Sequence, residues 1–262
     1  MSLPEDVKSC CAAVYSSDAV ALLLGDSYHP GGAALTRRLA GLMKLRPGER
    51  VADIASGPGA TARLLATEYD VAVDGVDFAA PAVQRARYTA ERLGLSDRVR
   101  FHLGDAERIP LPGNGFDAVL TECAFCTFTD KAAAAGEFAR ILRPGGRIGL
   151  ADVTVGDGGL PDELSTLAAW VACVADARSV GLYRAILDGA GLSTIHVELH
   201  HIALVRMLDQ VEARLHLVRM TQKERIVAAG IDVDGVLNFV DTVRGAISDG
   251  LLGYALIIAV KR

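Results

Sequence analysis

Long hydrophobic runs are missing from this 262-residue chain. Its apolar stretches, such as Tyr254 to Val260, have strand length, whereas a bilayer-spanning helix needs about 20 apolar residues in a row. No membrane span is expected. An excess of positive charge is missing as well: 27 basic residues stand against 32 acidic ones, for a net charge of −5. Without a basic patch there is no electrostatic footprint for nucleic acid or an anionic membrane. Cysteine is too scarce, at five residues, for a disulfide scaffold. The start, MSLPEDVKSCC, lacks the basic residues and the apolar stretch of a signal peptide. We therefore expect a cytoplasmic protein with reduced thiols, available for metal, metalloid or redox chemistry.

What is present is the material of one α/β domain: 51% hydrophobic and 23% charged residues, with 27 glycines. Such a length buries a core without staples. Apolar periodicity predicts a helical preface over residues 1–44, with helices from about Ser17 to Leu24 and from the His29-Pro30-Gly31-Gly32 turn to about Met43. Strands are expected at Val51 to Ala55, Val71 to Val76, Val99 to Leu103, Phe116 to Thr121, Arg147 to Val153, Thr194 to His201 and Leu252 to Val260. Helices should lie between them at Ala60 to Glu68, Pro81 to Gly94, Lys131 to Leu142, Asp162 to Ala177, Leu182 to Ala190, Met207 to Ala229 and Val233 to Ile247. Pro144-Gly145-Gly146 should end the third of these helices. This alternation implies an α/β fold, a doubly wound, mostly parallel seven-stranded sheet with a helical insertion at about 205–249 before the last strand. Residues 1–262 then form a single domain: preface 1–44, core 45–155 and C-terminal half 156–262. Ligands should bind at the carboxyl ends of the strands.

The strongest local signal is VADIASGPGATARLL, a strand ending in an acidic residue and passing through a small-residue loop into a helix. Asp53, Ala55, Ser56, Gly57 and Gly59 would let a ligand approach the backbone, and the helix N-terminus favours negative charge. The three-glycine fingerprint of dinucleotide enzymes is absent. Asp77, beside Phe78, ends the second strand about 20 residues on, where a carboxylate can hold a ribose. Asp105 and Ala106 follow the third strand and could meet an adenine. The fourth strand, FDAVLTE, delivers Glu122 toward the reacting centre.

These motifs, together with LRPGGRIGLADV, resemble the class I S-adenosylmethionine-dependent methyltransferases over about residues 33 to 155. The resemblance implies a Rossmann-like fold, S-adenosylmethionine as methyl donor, S-adenosylhomocysteine as product and no catalytic metal. The family's usual first glycine is here Ala55. VKSCCAAVYSSDAVALLLG, TECAFCTFTDK and WVACVADA further resemble the arsenite methyltransferases. That likeness implies Cys123 and Cys173 as metalloid ligands, with Cys10, Cys11 or Cys126 as a third. Asp26 stands where another family cysteine falls. Thiolates suit a pyramidal arsenic(III) centre. The same cysteines also read as core packing, and Cys123-x-x-Cys126, as minor readings, as half a zinc site or a redox pair.

Two further residues are candidates for proton transfer. His29 could act as a base from a lid or merely hydrogen-bond its own turn. Glu122 could orient the acceptor, receive a proton or cap its loop. His102, His200 and His201 lack companion ligands and read as structural. The sequence thus points to methyl transfer to a soft acceptor, with a small-molecule C-, O- or N-methyltransferase of the quinone-methylating type as the alternative. A non-enzymatic cofactor or metalloid binder is the third reading. The expected partner is a small-molecule or metalloid substrate, and the sequence is silent on oligomeric state.

Overall fold

The computed structural model describes residues 8, 9, 12, 13, 15, 20, 24, 28–156, 159, 160, 164, 174, 176–221, 224, 230 and 232–262. Cys10, Cys11, Trp170, Cys173 and most of the helix expected at Asp162 to Ala177 lie outside them.

Seven strands form one sheet: β1 (Arg50–Ile54), β2 (Ala72–Asp77), β3 (Val99–Leu103), β4 (Phe116–Glu122), β5 (Leu142–Val155), β6 (Leu192–Leu199) and β7 (Leu252–Lys261), in the order β3-β2-β1-β4-β5-β7-β6. The first five run parallel, and β7 lies antiparallel between β5 and β6. The helices are α1 (Gly32–Leu42), α2 (Ala60–Glu68), α3 (Ala80–Arg92), α4 (Lys131–Ile141), α5 (Val180–Gly189), α6 (His201–Thr221) and α7 (Val233–Ser248). One face of the sheet buries Leu39, Leu65, Phe101 and Tyr254. The other buries Phe116, Phe125, Phe138 and Tyr183. Apolar cover on both faces makes the interior strands near-continuous apolar runs, as parallel sheets require.

Local chemistry sets the helix starts. Pro81 sits in the first turn of α3, where its missing N–H is not needed. Asp130 caps α4 by accepting from the Ala133 N–H at 2.8 Å.

Several boundaries differ from expectation. The helix expected to reach Leu142 ends at Ile141, and β5 begins at Leu142 rather than Arg147. Its pairing jumps from Phe116–Leu142 to Ala118–Arg147, so a bulge absorbs Pro144 and the positive φ of Gly145. The sixth strand stops at Leu199, because His201 already opens α6, six residues before the expected Met207. Tertiary contacts fix that start: the Tyr254 N–H donates to His201 Nδ1 at 3.2 Å, and Gly253 leaves room for the ring where a Cβ would lie 2.3 Å from it.

Candidate active site

The carboxyl ends of β1, β2, β3 and β4 open onto a cavity of about 190 Å³. Of the sequence-predicted residues, Asp53, Ala55, Ser56, Gly57, Asp77, Phe78, Asp105, Ala106, Glu122, Cys123 and His29 line it.

The loop after β1 is built for close approach. Ala55, Gly57 and Gly59 have positive φ values of 61, 53 and 78°. A Cβ on Gly57 would meet only open space, whereas one on Gly59 would fall 2.3 Å from the Phe101 ring. Gly59 is therefore absent from the cavity wall and packs α2 against β3. Asp77 ties the loop down, its Oδ2 accepting from the Gly57 N–H and its Oδ1 from the Ala79 N–H, both at 2.8 Å. Burial raises the Asp77 pKa against those two bonds.

Asp53 is more deeply buried, at 3% exposure. Its pKa is raised well above the usual carboxylate value, first by burial and then by the charges of Glu122 and Asp77. Asp53 Oδ2 and Ser56 Oγ are buried without a hydrogen-bond partner, although both residues face the cavity. Buried polar atoms in this state call for a ligand or water.

A second group converges on Glu122 at the end of β4. Thr61 Oγ1 of α2 donates to Oε2 at 2.7 Å, and Thr36 Oγ1 of α1 lies 3.0 and 3.1 Å from the two carboxylate oxygens. His29 Nε2 stands 3.3 Å from Oε2, while its Nδ1 lies 3.3 Å from Pro30 O. A proton on Nδ1 would donate to Pro30 O and leave Nε2 as an acceptor, whereas a proton on Nε2 would donate to Glu122 Oε2. Cys123, the next residue, has φ 52° and donates its N–H to Ala151 O at 2.7 Å. Cys126 is 1% exposed and packs in the core, with its N–H on Asp152 at 3.1 Å. Among the described residues no group of three or more His, Cys, Asp or Glu is arranged to hold a metal ion.

Sequence reasoning missed the residues that close the cavity. Lys8, Ala12 and Tyr15 are helical and line it. Their spacing places them on one helical face. Lys8 Nζ reaches Asp105 Oδ2 at 2.8 Å and Glu107 Oε2 at 2.5 Å. Asp105, expected at an adenine, is thus paired with the preface. Burial alone would lower the Lys8 pKa, but hydrogen bonds to Asp105 and Glu107 outweigh it and hold the amine above its ordinary range. Glu107 also accepts from Thr129 Oγ1 at 3.0 Å and the Asp130 N–H at 2.8 Å. At the other end Tyr15 meets Tyr28, with ring centroids 6.5 Å apart. The signal that could have found this face is the stripe of residues 8, 12 and 15.

Residues 51–146, which hold the loop and all four strand ends, match the family model of the methyltransferase domain. This part of the chain carries a methyltransferase domain. It is 40% identical over 118 residues to the 27-O-demethylrifamycin SV methyltransferase of Amycolatopsis mediterranei, covering 45% of this chain and 43% of that protein. It is 31% identical over 156 residues to an arsenite methyltransferase of Halobacterium salinarum, covering 58% of this chain and 39% of that one. The match thus spans about half the length or less of these relatives. The cyclopropane synthase MmaA2 of Mycobacterium tuberculosis superposes with a TM-score of 0.81 at 18% identity over 99% of both chains, which establishes the fold. Phosphoethanolamine N-methyltransferase 2 of Haemonchus contortus, solved with S-adenosyl-L-methionine, superposes with a TM-score of 0.82 at 20% identity over 97% of this chain and 60% of that one. Among the described residues no helix is long and apolar enough to cross a membrane.

Proposed function

We propose that the chain transfers a methyl group from S-adenosylmethionine to a protic small molecule, with His29 as the general base and Glu122 as its partner. The observation that carries this reading is the 3.3 Å approach of His29 Nε2 to Glu122 Oε2 at the wall of the cavity. Asp77 and Phe78 would hold the ribose, Asp105 and Ala106 the adenine, and Ser56 and Gly57 the amino-acid part. The buried Asp53 carboxylate and its unpartnered oxygen suit the donor's ammonium group.

The bound donor supplies a sulfonium-activated methyl, so the protein has chiefly to align the reactants and exclude water. His29 takes the acceptor proton at Nε2 as the acceptor atom attacks the methyl carbon. The carbon–sulfur bond breaks, and its electron pair stays on sulfur. Glu122 stabilises the imidazolium that results, and Thr36 and Thr61 hold the carboxylate in place. Lys8, Ala12 and Tyr15 would close over the reactants.

A second reading is supported by Cys123, whose position at the cavity wall suits a thiolate ligand for arsenic(III) or a related soft acceptor. Cys173, Cys10 and Cys11 are its candidate co-ligands. Turnover of His29→Gln separates the two readings. Loss of about 100-fold or more, with S-adenosylhomocysteine affinity kept within a few-fold, supports the base. Unchanged turnover by His29→Gln, with loss in Cys123→Ser, selects the thiolate reading.

A further inference from the structure

We infer that the acceptor is an uncharged planar phenol or enol, and that the cavity selects against anionic acceptors; this rests on the base reading given above. Three observations lead there: the division of the cavity, its charge and its aromatic wall.

The strand order divides the cavity. The ends of β2 and β3 bring Phe78, Asp105 and Ala106 to one side of β1, and β4 brings Glu122 and Cys123 to the other. Tyr28, His29 and Tyr15 are contiguous with Glu122, so they form the acceptor end.

Charge in this cavity is one-sided. Asp53, Asp77, Asp105 and Glu122 line it, and Lys8 is its single Lys or Arg among the described lining residues. Lys8 is already shared by Asp105 and Glu107. In the sequence, Lys8 is the sole Lys or Arg between residues 1 and 36, and residues 119–130 and 154–177 contain none. Lys131, the next cation along, is committed to Phe128 O at 3.0 Å and Asp176 at 2.5 Å. One bound cation from the donor leaves the carboxylates in excess. A phosphate or carboxylate on the acceptor would be desolvated with no partner for its charge.

The wall is aromatic. Tyr15, Tyr28 and Phe128 line it, and a planar acceptor packs on such rings with more contact than a branched one. The base points the same way. An imidazole accepts a proton far more readily from a phenol, with a pKa of about 10, than from a group as weakly acidic as water, near 16.

The experiment compares two catechols that differ in one charge, methyl 3,4-dihydroxybenzoate and 3,4-dihydroxybenzoate. Each is titrated by calorimetry into the full chain saturated with S-adenosylhomocysteine, and each is assayed for methyl transfer. The ester should bind and be methylated, with the acid about 10-fold or more weaker in both. Tyr15→Lys adds a cation to the acceptor end and should narrow that ratio by about 5-fold. Equal or tighter binding of the acid overturns the proposal, as does failure of the ester to bind. An ester preference that survives alongside full turnover by His29→Gln keeps the charge selection and removes the base.

Discussion

Thr61 Oγ1 donates to Glu122 Oε2 over 2.7 Å, so the first turn of α2 and the end of β4 are locked through one carboxylate. The glycine loop that opens α2 and the proton-handling pair thereby share a rigid support. Thr61→Val keeps the shape and removes that hydrogen bond, worth about 1 kcal/mol. Turnover should fall by roughly 5- to 10-fold, with helix content intact by circular dichroism. Parent-like kinetics would show that Glu122 needs no such support.

Asp53 gives a pH signature. Its folded pKa lies well above the ordinary value of 3.8, so between the two values the folded state binds more protons than the unfolded state. Stability contributed by this group therefore declines as pH rises through that window. Binding a cationic group beside the carboxylate reverses the trend. The rise in melting temperature caused by S-adenosylmethionine should grow with pH across the window, and Asp53→Asn should flatten it. A ligand-induced shift independent of pH in the parent would refute the assignment.

Ala55 occupies a left-handed conformation, φ 61°, that suits glycine. Replacing it by glycine should relieve about 1 kcal/mol of steric strain, visible as a higher urea midpoint with the cofactor site preserved. Gly59→Ala acts oppositely. Its Cβ would collide with Phe101, and the loss should be roughly 2 to 5 kcal/mol from strain and overpacking together.

Tyr254 is fully buried with a hydroxyl that has no hydrogen-bond partner. Burial first, then the neighbouring Cys123, Asp152, Glu122 and Cys126, raises its pKa well above 10. Tyr254→Phe removes an unsatisfied group, so the apo protein should gain about 1 kcal/mol. Destabilisation by a similar amount would mean that the hydroxyl is satisfied in solution.

Lys8 anchors the preface across the cavity through two carboxylates at low exposure. Lys8→Met should speed S-adenosylhomocysteine dissociation by several-fold, on the order of 1 kcal/mol for partly buried pairs, and reduce its dependence on ionic strength. Stopped-flow displacement measures both. A dissociation rate equal to the parent's would detach Lys8 from any gating role.

The parts of the molecule legible from sequence were those governed by neighbours along the chain. The strand–loop–helix at Asp53 to Ala60, the carboxylate of Asp77 and the α/β alternation depend on local periodicity and turn residues. Pro144 and Gly145 misled because a bulge, defined only by pairing with β4, accommodates them. The start of α6 depended on a bond from β7 to His201, 53 residues away. In the site, Thr36 and Thr61 carry no sequence signal of function, since their role comes from two helices meeting over one strand end. The pairing of Lys8 with Asp105 likewise joins residues 97 apart, and no periodicity announces it.

β7 is held between β5 and β6, so the last of the seven strands to be synthesised is an interior one. The five parallel strands can assemble as soon as β5 emerges, but β5 then presents an unpaired edge, and β6 has no strand to join until β7 arrives. During synthesis the nascent chain passes through a stage with a half-closed sheet and an apolar β5 edge open to solvent, a template for misassembly. Ribosome-bound chains lacking 252–262 are the species on which chaperones should act, and the zipping of that last strand is the step that completes the core.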